Sequence, residues 1–340
     1  MKAILVTGGA GFIGANFVLY FLRKYPHCKI VNLDLLTYAA DLSNLKEAEN
    51  LPNYSFVRGD ICDRALVDSL FKKYDIRGVV HFAAESHVDN SIENPGIFVK
   101  TNVLGTHTLL NSAYEHWMNG PFKCKRGYEE CRFHHISTDE VYGALGDEGY
   151  FTEQTPYAPN SPYSASKAGS DMLARSYFHT YGLNIVITNC SNNYGLFQNR
   201  EKFIPTVIRS AVNKEPIPIY GRGLNTRDWL YVEDHCKAID IVFHNAQSGQ
   251  TYNIGGENEM KNIEVAEMIC SILDEIRGKP KGYHSDLISF VKDRPGHDWR
   301  YAMDITKIKH DLNWRPEKTF EEGLRLTVEW FVSKFSEEDR

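Results

Sequence analysis

The stretch that most constrains the fold is Thr7-Gly8-Gly9-Ala10-Gly11-Phe12-Ile13-Gly14. It follows a short apolar run, Lys2–Thr7, and leads into residues Ile13–Tyr25, whose apolar positions recur with helical periodicity. Glycines at 8, 11 and 14 stand where a strand turns directly into a helix. The first permits the tight turn, the second lets backbone amides approach a pyrophosphate, and the third lets helix pack on strand. Phosphates would then rest on the helix N-terminus, where free N–H groups and the helix dipole favour negative charge. A glycine triplet alone also fits a plain strand–helix turn, so the next element decides. Lys29–Leu33 is apolar enough for a buried parallel strand and ends in Asp34, twenty residues past Gly14. A carboxylate there can accept both ribose hydroxyls and would repel a 2′-phosphate, which favours NAD over NADP.

Strand and helix patterns then alternate. Tyr54–Arg58, Gly78–Phe82, Arg132–Ser137 and Ile185–Thr188 read as further strands, with helices over Arg64–Lys73 and Thr101–Met118. The third strand ends at Gly59-Asp60-Ile61. The fourth leads into Ala83-Ala84-Glu85-Ser86-His87, whose small residues allow close approach to a cofactor. This alternation through residue 190 predicts an α/β fold, a Rossmann-type doubly wound parallel sheet that gathers its ligands at the C-terminal strand ends. At 340 residues and 42% hydrophobic, the chain can bury a large core. Its net charge of −6 argues against a general nucleic-acid binder. No run of eighteen apolar residues suggests a membrane span, and the N-terminal apolar run is too short for a signal peptide. Seven cysteines without a paired framework suit reduced thiols, so a soluble cytoplasmic enzyme is expected. Cys124, Cys131, His134 and His135 lack zinc-box spacing. The two histidines alternate along a strand and so face opposite ways, and no metal is expected.

The candidate reaction centre is Ile136-Ser137-Thr138-Asp139-Glu140-Val141-Tyr142-Gly143, at the end of the fifth strand. It sets two adjacent carboxylates behind a hydroxyl. Adjacent acids oppose each other's ionisation, so one can stay protonated while the other acts as a base. Further on, Ser161 is a fitting N-cap and Pro162 a fitting first residue for a helix that carries Tyr163 and Lys167 on one face. Ala165, Ala168 and Met172 read as its buried stripe. An ammonium beside a phenol is expected to lower the phenol's pKa and make a usable base. His87 could be a general base, but ordinary hydrogen bonding to backbone suits a histidine near a strand end better.

Together these motifs resemble the extended short-chain dehydrogenase/reductase superfamily. Thr-Asp-Glu ahead of Tyr-x-x-x-Lys is similar to the sugar-nucleotide 4,6-dehydratases within it. The resembling segments are Thr7–Gly14, Ala83–Asp89, Ser137–Gly143, Ser161–Lys167, Asn189–Gly195, Arg227–His235, Tyr252–Gly256 and Asp293–Asp298. The resemblance implies bound NAD and a nucleotide-sugar substrate, dTDP-glucose first, with UDP-glucose or UDP-N-acetylglucosamine as alternatives. It implies a discontinuous smaller C-terminal domain. Residues 1–190, with 231–256 returning to them, would hold NAD, and 191–230 with 257–335 would hold the nucleotide sugar. A homodimer through helices near 103–118 and 164–181 is implied as well.

Residue by residue, the resemblance makes Thr138, Asp139, Glu140, Tyr163 and Lys167 catalytic. Tyr163 would deprotonate the 4-hydroxyl, Glu140 would take the carbon 5 proton, and Asp139 would protonate the departing 6-hydroxyl. Cofactor contacts would come from Gly8, Gly11, Phe12, Ile13, Gly14, Asp34, Thr37, Asp60, Ile61, Phe82, Ala83, Ala84, Ser86, Thr101 and Asn193, with Tyr163 and Lys167. Substrate contacts would come from Ser86, His87, Thr138, Asn192, Glu201, Lys202, Phe203, Pro218, Tyr220, Arg227, Asn262, Arg294, His297 and Tyr301. The chain departs from the family pattern in two places. Leu35 stands where a lysine is usual, and Gly195-Leu196-Phe197-Gln198-Asn199-Arg200 lacks two prolines and brings an arginine beside the expected sugar and phosphate site. A 4-epimerase would lack the Asp139-Glu140 pair, and a non-catalytic dinucleotide sensor would not need the five-residue set.

Overall fold

A parallel sheet of seven strands organises the chain. The computed structural model describes residues 3–293 and 297–338. The strands are β1 (Ala3–Thr7), β2 (Lys29–Asp34), β3 (Tyr54–Arg58), β4 (Ile76–His81), β5 (Arg132–Thr138), β6 (Ile185–Cys190) and β7 (Thr251–Ile254). They lie in the order β7-β6-β5-β4-β1-β2-β3, every neighbouring pair parallel. β1 and β4 are buried along most of their length, Leu5, Val6, Val79 and Val80 completely, because helices cover both faces.

On one face α1 (Phe12–Lys24) packs with the helix Val232–Asn245, joining Phe17, Phe21, Cys236 and Ile239 in one core. On the other, α2 (Arg64–Tyr74), α3 (Thr106–Trp117) and α4 (Pro162–Tyr181) bury Val67, Phe71, Leu110, Trp117 and Tyr177. The order of connections reverses between β1 and β4, which opens a crevice at the C-terminal strand ends. A further core, with Ile204, Val207, Trp229, Ile269, Phe320, Leu324, Val328 and Phe331, closes that crevice from above. Its small sheet pairs Thr226–Tyr231 with Asn192–Tyr194 and with Glu259–Lys261. Among the described residues no helix is long and apolar enough to cross a membrane.

Two helices differ from the sequence expectation. The helix expected over residues 101–118 begins as a wide π-type turn at Val99–Gly105 before α3. The wide turn directs Asn102 inward. There it accepts from the Glu85 amide at 2.8 Å and donates to the Glu85 carbonyl at 3.0 Å and the Ser166 hydroxyl at 2.8 Å. α4 starts as expected, with Ser161 and Ser164 in a reciprocal cap and Pro162 in its first turn. Its buried face is another matter. Ala168 is buried, but Ala165 is exposed and Met172 is 50% exposed. α4 turns Tyr163, Ser166, Lys167, Ser170 and Asp171 inward instead. Reading apolar spacing alone misplaces a helix that buries its polar side.

Candidate functional site

The glycine turn is closed by sterics. Gly8 has φ +70°, and a Cβ on it would sit 2.6 Å from the Ala83 amide nitrogen. A Cβ on Gly14 would sit 2.2 Å from the Gly8 carbonyl oxygen. Gly11 caps α1 without a side chain, so the first-turn N–H groups are left for a ligand. Asp34 closes the turn, accepting from the Ala10 amide at 2.9 Å and the Leu36 amide at 2.8 Å. Burial raises its carboxyl pKa, and those two N–H groups pull it back down. Backbone amides at a helix start, beside a strand-end carboxylate, suit a diphosphate flanked by a diol. The residues present fit a dinucleotide.

One cavity of about 660 Å³ collects the lining. The cofactor candidates Gly8, Gly11, Phe12, Ile13, Gly14, Asp34, Thr37, Asp60, Ile61, Phe82, Ala83, Ala84, Ser86 and Thr101 all line it. So do Thr138, Asp139, Glu140, Tyr163, Lys167 and Asn193.

At the end of β5, Thr138 caps a short turn, accepting from the Glu140 amide at 3.3 Å, and its hydroxyl also meets Asp139 Oδ1 at 3.3 Å. Asp139 is 2% exposed, and its Oδ2 has no partner among the described residues. Burial, then the charges of Glu140 and Asp228, push its carboxyl pKa well above the ordinary range, with Arg227 pulling weakly the other way. Burial and the neighbouring carboxylates thus both favour its protonated form. Tyr163 faces it from α4. Burial, then Glu140, push the phenol well above its ordinary value, while the Thr138 hydroxyl acts in the opposite sense.

The expectation that Lys167 lowers the Tyr163 pKa is therefore overturned in the protein alone. Lys167 Nζ is committed to the Ile136 carbonyl at 2.8 Å, and burial with the charges of Glu140, Cys190 and Asp139 pushes the phenol up. His87 caps the short helix Val88–Glu93, its Nδ1 accepting from the Asn90 amide at 3.3 Å, as the backbone-bonding reading expects.

The opposite wall is assembled from distant segments: Asn192, Glu201, Lys202, Phe203, Pro218, Tyr220, Arg227, Asn262 and His297 all line the cavity. Lys202 Nζ reaches across to the Ser86 carbonyl at 3.1 Å. Arg227 is held by the carbonyls of Thr226 at 2.8 Å and Asp298 at 2.9 Å, and it lies 4.4 Å over the ring centroid of Tyr301. Tyr220 meets His297 edge-on at 6.2 Å. Asn192 Oδ1 is buried without a partner among the described residues.

Two substrate-side expectations change, and a third falls outside the described residues. Tyr301 is buried behind Arg227 and does not line the cavity, so it supports the guanidinium instead of offering a ligand surface. Arg200 does not enter the cavity, because its guanidinium turns to the Phe335 ring, 5.7 Å from the centroid. Arg294 lies outside the described residues. Gln198, Asn199, Glu85 and Cys190 also line the cavity. Nothing in their spacing marks them. Only their place beside Asn193, Glu201, Ser86 and Asn189 could have drawn attention to them.

Comparison with known proteins agrees with this geometry. The GDP-mannose 4,6 dehydratase family description matches residues 5–327. A dTDP-glucose 4,6-dehydratase from Xanthomonas campestris pv. campestris is 52% identical over 337 residues, covering 98% of this chain and 94% of the relative. The crystal structure of dTDP-glucose 4,6-dehydratase from Bacillus anthracis, in complex with NAD, is 46% identical with a TM-score of 0.87, covering 99% of this chain and 98% of that one. The Streptomyces venezuelae dTDP-glucose 4,6-dehydratase, with NAD and dTDP bound, is 42% identical with a TM-score of 0.88, covering 98% of each chain.

Proposed function

The chain belongs to the GDP-mannose 4,6 dehydratase family, and from that premise we propose that it converts dTDP-glucose to dTDP-4-keto-6-deoxyglucose with loss of water. The observation that carries this reading is one cavity lined by Thr138, Asp139, Glu140, Tyr163 and Lys167 together with the glycine turn and Asp34. Gly8, Gly11, Gly14, Asp34, Lys167 and Asn193 would hold NAD. When bound, NAD supplies a reversible hydride store and a positive charge near the phenol, so carbon 4 can be oxidised and carbon 6 reduced with no net redox change.

Tyr163 takes the proton of the 4-hydroxyl, whose oxygen Thr138 positions. The resulting 4-keto group acidifies carbon 5, and Glu140 takes that proton and gives it back to carbon 5 when carbon 6 is reduced. Asp139, kept protonated by burial and by Glu140 beside it, gives its proton to the departing 6-hydroxyl, which leaves as water. The net reaction is that of a lyase. Arg227 and Lys202 supply charge for the diphosphate and Tyr220 an aromatic face for the base. Residues 1–190 with 231–256 form the cofactor domain, and 191–230 with 257–335 the nucleotide-sugar domain. A cytoplasmic homodimer, with NAD kept between turnovers, completes the proposal.

Purified protein incubated with dTDP-glucose, then treated with alkali, should develop the absorbance of a 4-keto sugar. UDP-glucose and UDP-N-acetylglucosamine run alongside. A signal only with a UDP sugar would reassign the base, and no signal with any of the three would sink the reading.

A further inference from the structure

Asp171 is a charge that the reaction above leaves unused. It is 1% exposed and lies four residues past Lys167 and eight past Tyr163, on the inward face of α4. Three groups hold its carboxylate. His135 Nε2 meets Oδ1 at 2.9 Å, the Ser137 hydroxyl donates to Oδ2 at 2.7 Å, and the Tyr157 hydroxyl donates to Oδ2 at 3.0 Å. His135 and Ser137 flank Ile136 on β5, the residue whose carbonyl takes the Lys167 ammonium. Three successive residues of one strand thus anchor both charges. Among the described residues the two make no direct ion pair, so Asp171 acts on Lys167 through space.

Each charge answers the other. Burial pushes the Lys167 ammonium below its ordinary range, and the first influence opposing that is Asp171. Burial pushes the Asp171 carboxyl up to about 6, with Lys167 first among the groups holding it down, then Ser137 and Tyr157. The Ser137 and Tyr157 hydroxyls, both donating to Oδ2, favour its ionised form. The titratable groups around it are His135 from β5, Tyr157 ahead of α4 with Tyr142 beyond, and Lys167 on its own helix. Complete burial and then the Lys167 charge push the His135 imidazole well below its ordinary range, and Cys190 from β6 and His81 from β4 are the further titratable groups that feel Lys167.

We propose that Asp171 is a positioning residue for proton transfer at Tyr163: fixed by β5 and Tyr157, its charge keeps Lys167 an ammonium at the cavity wall. The proposal rests on the roles given to Tyr163 and Lys167 above. Removing the negative charge destabilises the ammonium, so Lys167 should lose its proton at lower pH.

Asp171→Asn keeps shape and an acceptor for Ser137 and Tyr157 but removes the charge. Single-turnover formation of reduced cofactor from dTDP-glucose, in a Glu140→Gln background, is followed across pH. The alkaline limb should move down by about one unit, the low end of the shift expected from removing an opposite charge one helical turn away, and Asp171→Glu should restore it. A profile that scales down without moving its limb would leave Asp171 only a packing role and overturn the proposal. A second readout needs neither catalysis nor an Asp171 variant. In the unaltered chain, the Nζ resonance of Lys167, assigned with Lys167→Arg, is titrated by NMR of lysine-labelled protein. An ammonium that persists well above neutral pH supports the proposal, and one lost at or below neutral pH overturns it. Failure of the reaction scheme removes the first readout alone.

Discussion

The two walls of the cavity are built by opposite means. On the cofactor side the ligand surface is mostly backbone: glycines with no room for a Cβ, a bare helix start and one carboxylate already tied to two amides. On the substrate side it is side chains drawn from segments as far apart as Asn192, Tyr220, Asn262 and His297. Tyr220 there is 45% exposed. The first wall is fixed by sterics and tolerates almost no change. The second is a set of separable contacts that can be tuned one at a time.

That contrast can be broken by mutation. Gly14→Ala should have the largest effect, because its Cβ would overlap the Gly8 carbonyl. Purified protein should lose bound NAD, read by its absorbance after denaturation, and about 1–3 kcal/mol of stability, the usual cost of overpacking. Retained NAD would show the turn to be pliable. Next, Glu140→Gln should slow water loss by about 10²–10⁴-fold, the usual contribution of a positioned base, while reduced cofactor accumulates at its near-ultraviolet absorbance. Loss of both signals would mean that Glu140 holds the site together instead of acting on carbon 5.

On the substrate side, Arg227→Ala should raise the KM for the nucleotide sugar by about 10–100-fold, the worth of a charge-assisted hydrogen bond, with NAD content unchanged. Tyr220→Ala should cost less, about 2–10-fold in KM, as expected for one partly exposed aromatic contact. If either variant sheds its NAD, the two walls are not separable.

Asp139→Asn sharpens the picture between the walls and should be the smallest effect on the fold. Its folded pKa is raised above the unfolded value, so the native state holds a proton that the unfolded chain releases as pH rises past about 4. Stability is therefore lost across that window in the unaltered chain. Asparagine should melt a few degrees higher at pH 7 and at nearly the same temperature at pH 3, with turnover abolished. Equal melting at both pH values would place Asp139 in a wetter environment.

What could be read from the chain follows the same division. The glycine turn, Asp34, the first six strands to within two residues at either end, and the Ser161 cap are all legible, because each is a backbone event encoded by neighbours in sequence. Met172 and Arg200 mislead for the opposite reason. Whether Met172 is covered, or whether Arg200 reaches the cavity or the Phe335 ring, depends on surfaces far away in the chain. The substrate wall became visible only through resemblance, since no local period links Asn192 to His297. Asp171 was invisible because an acid on a helix ordinarily faces water, and only β5 shows that this one does not.

The Asn102 carboxamide grips both backbone groups of Glu85 and the hydroxyl of Ser166, three residues past Tyr163. It acts as a linchpin between a loop that lines the cavity, proposed above to receive the dinucleotide, and the helix that carries the phenol. Loading one and aiming the other are thereby geared together, and a chain that loosened this pin would hold both reagents yet let them drift out of step.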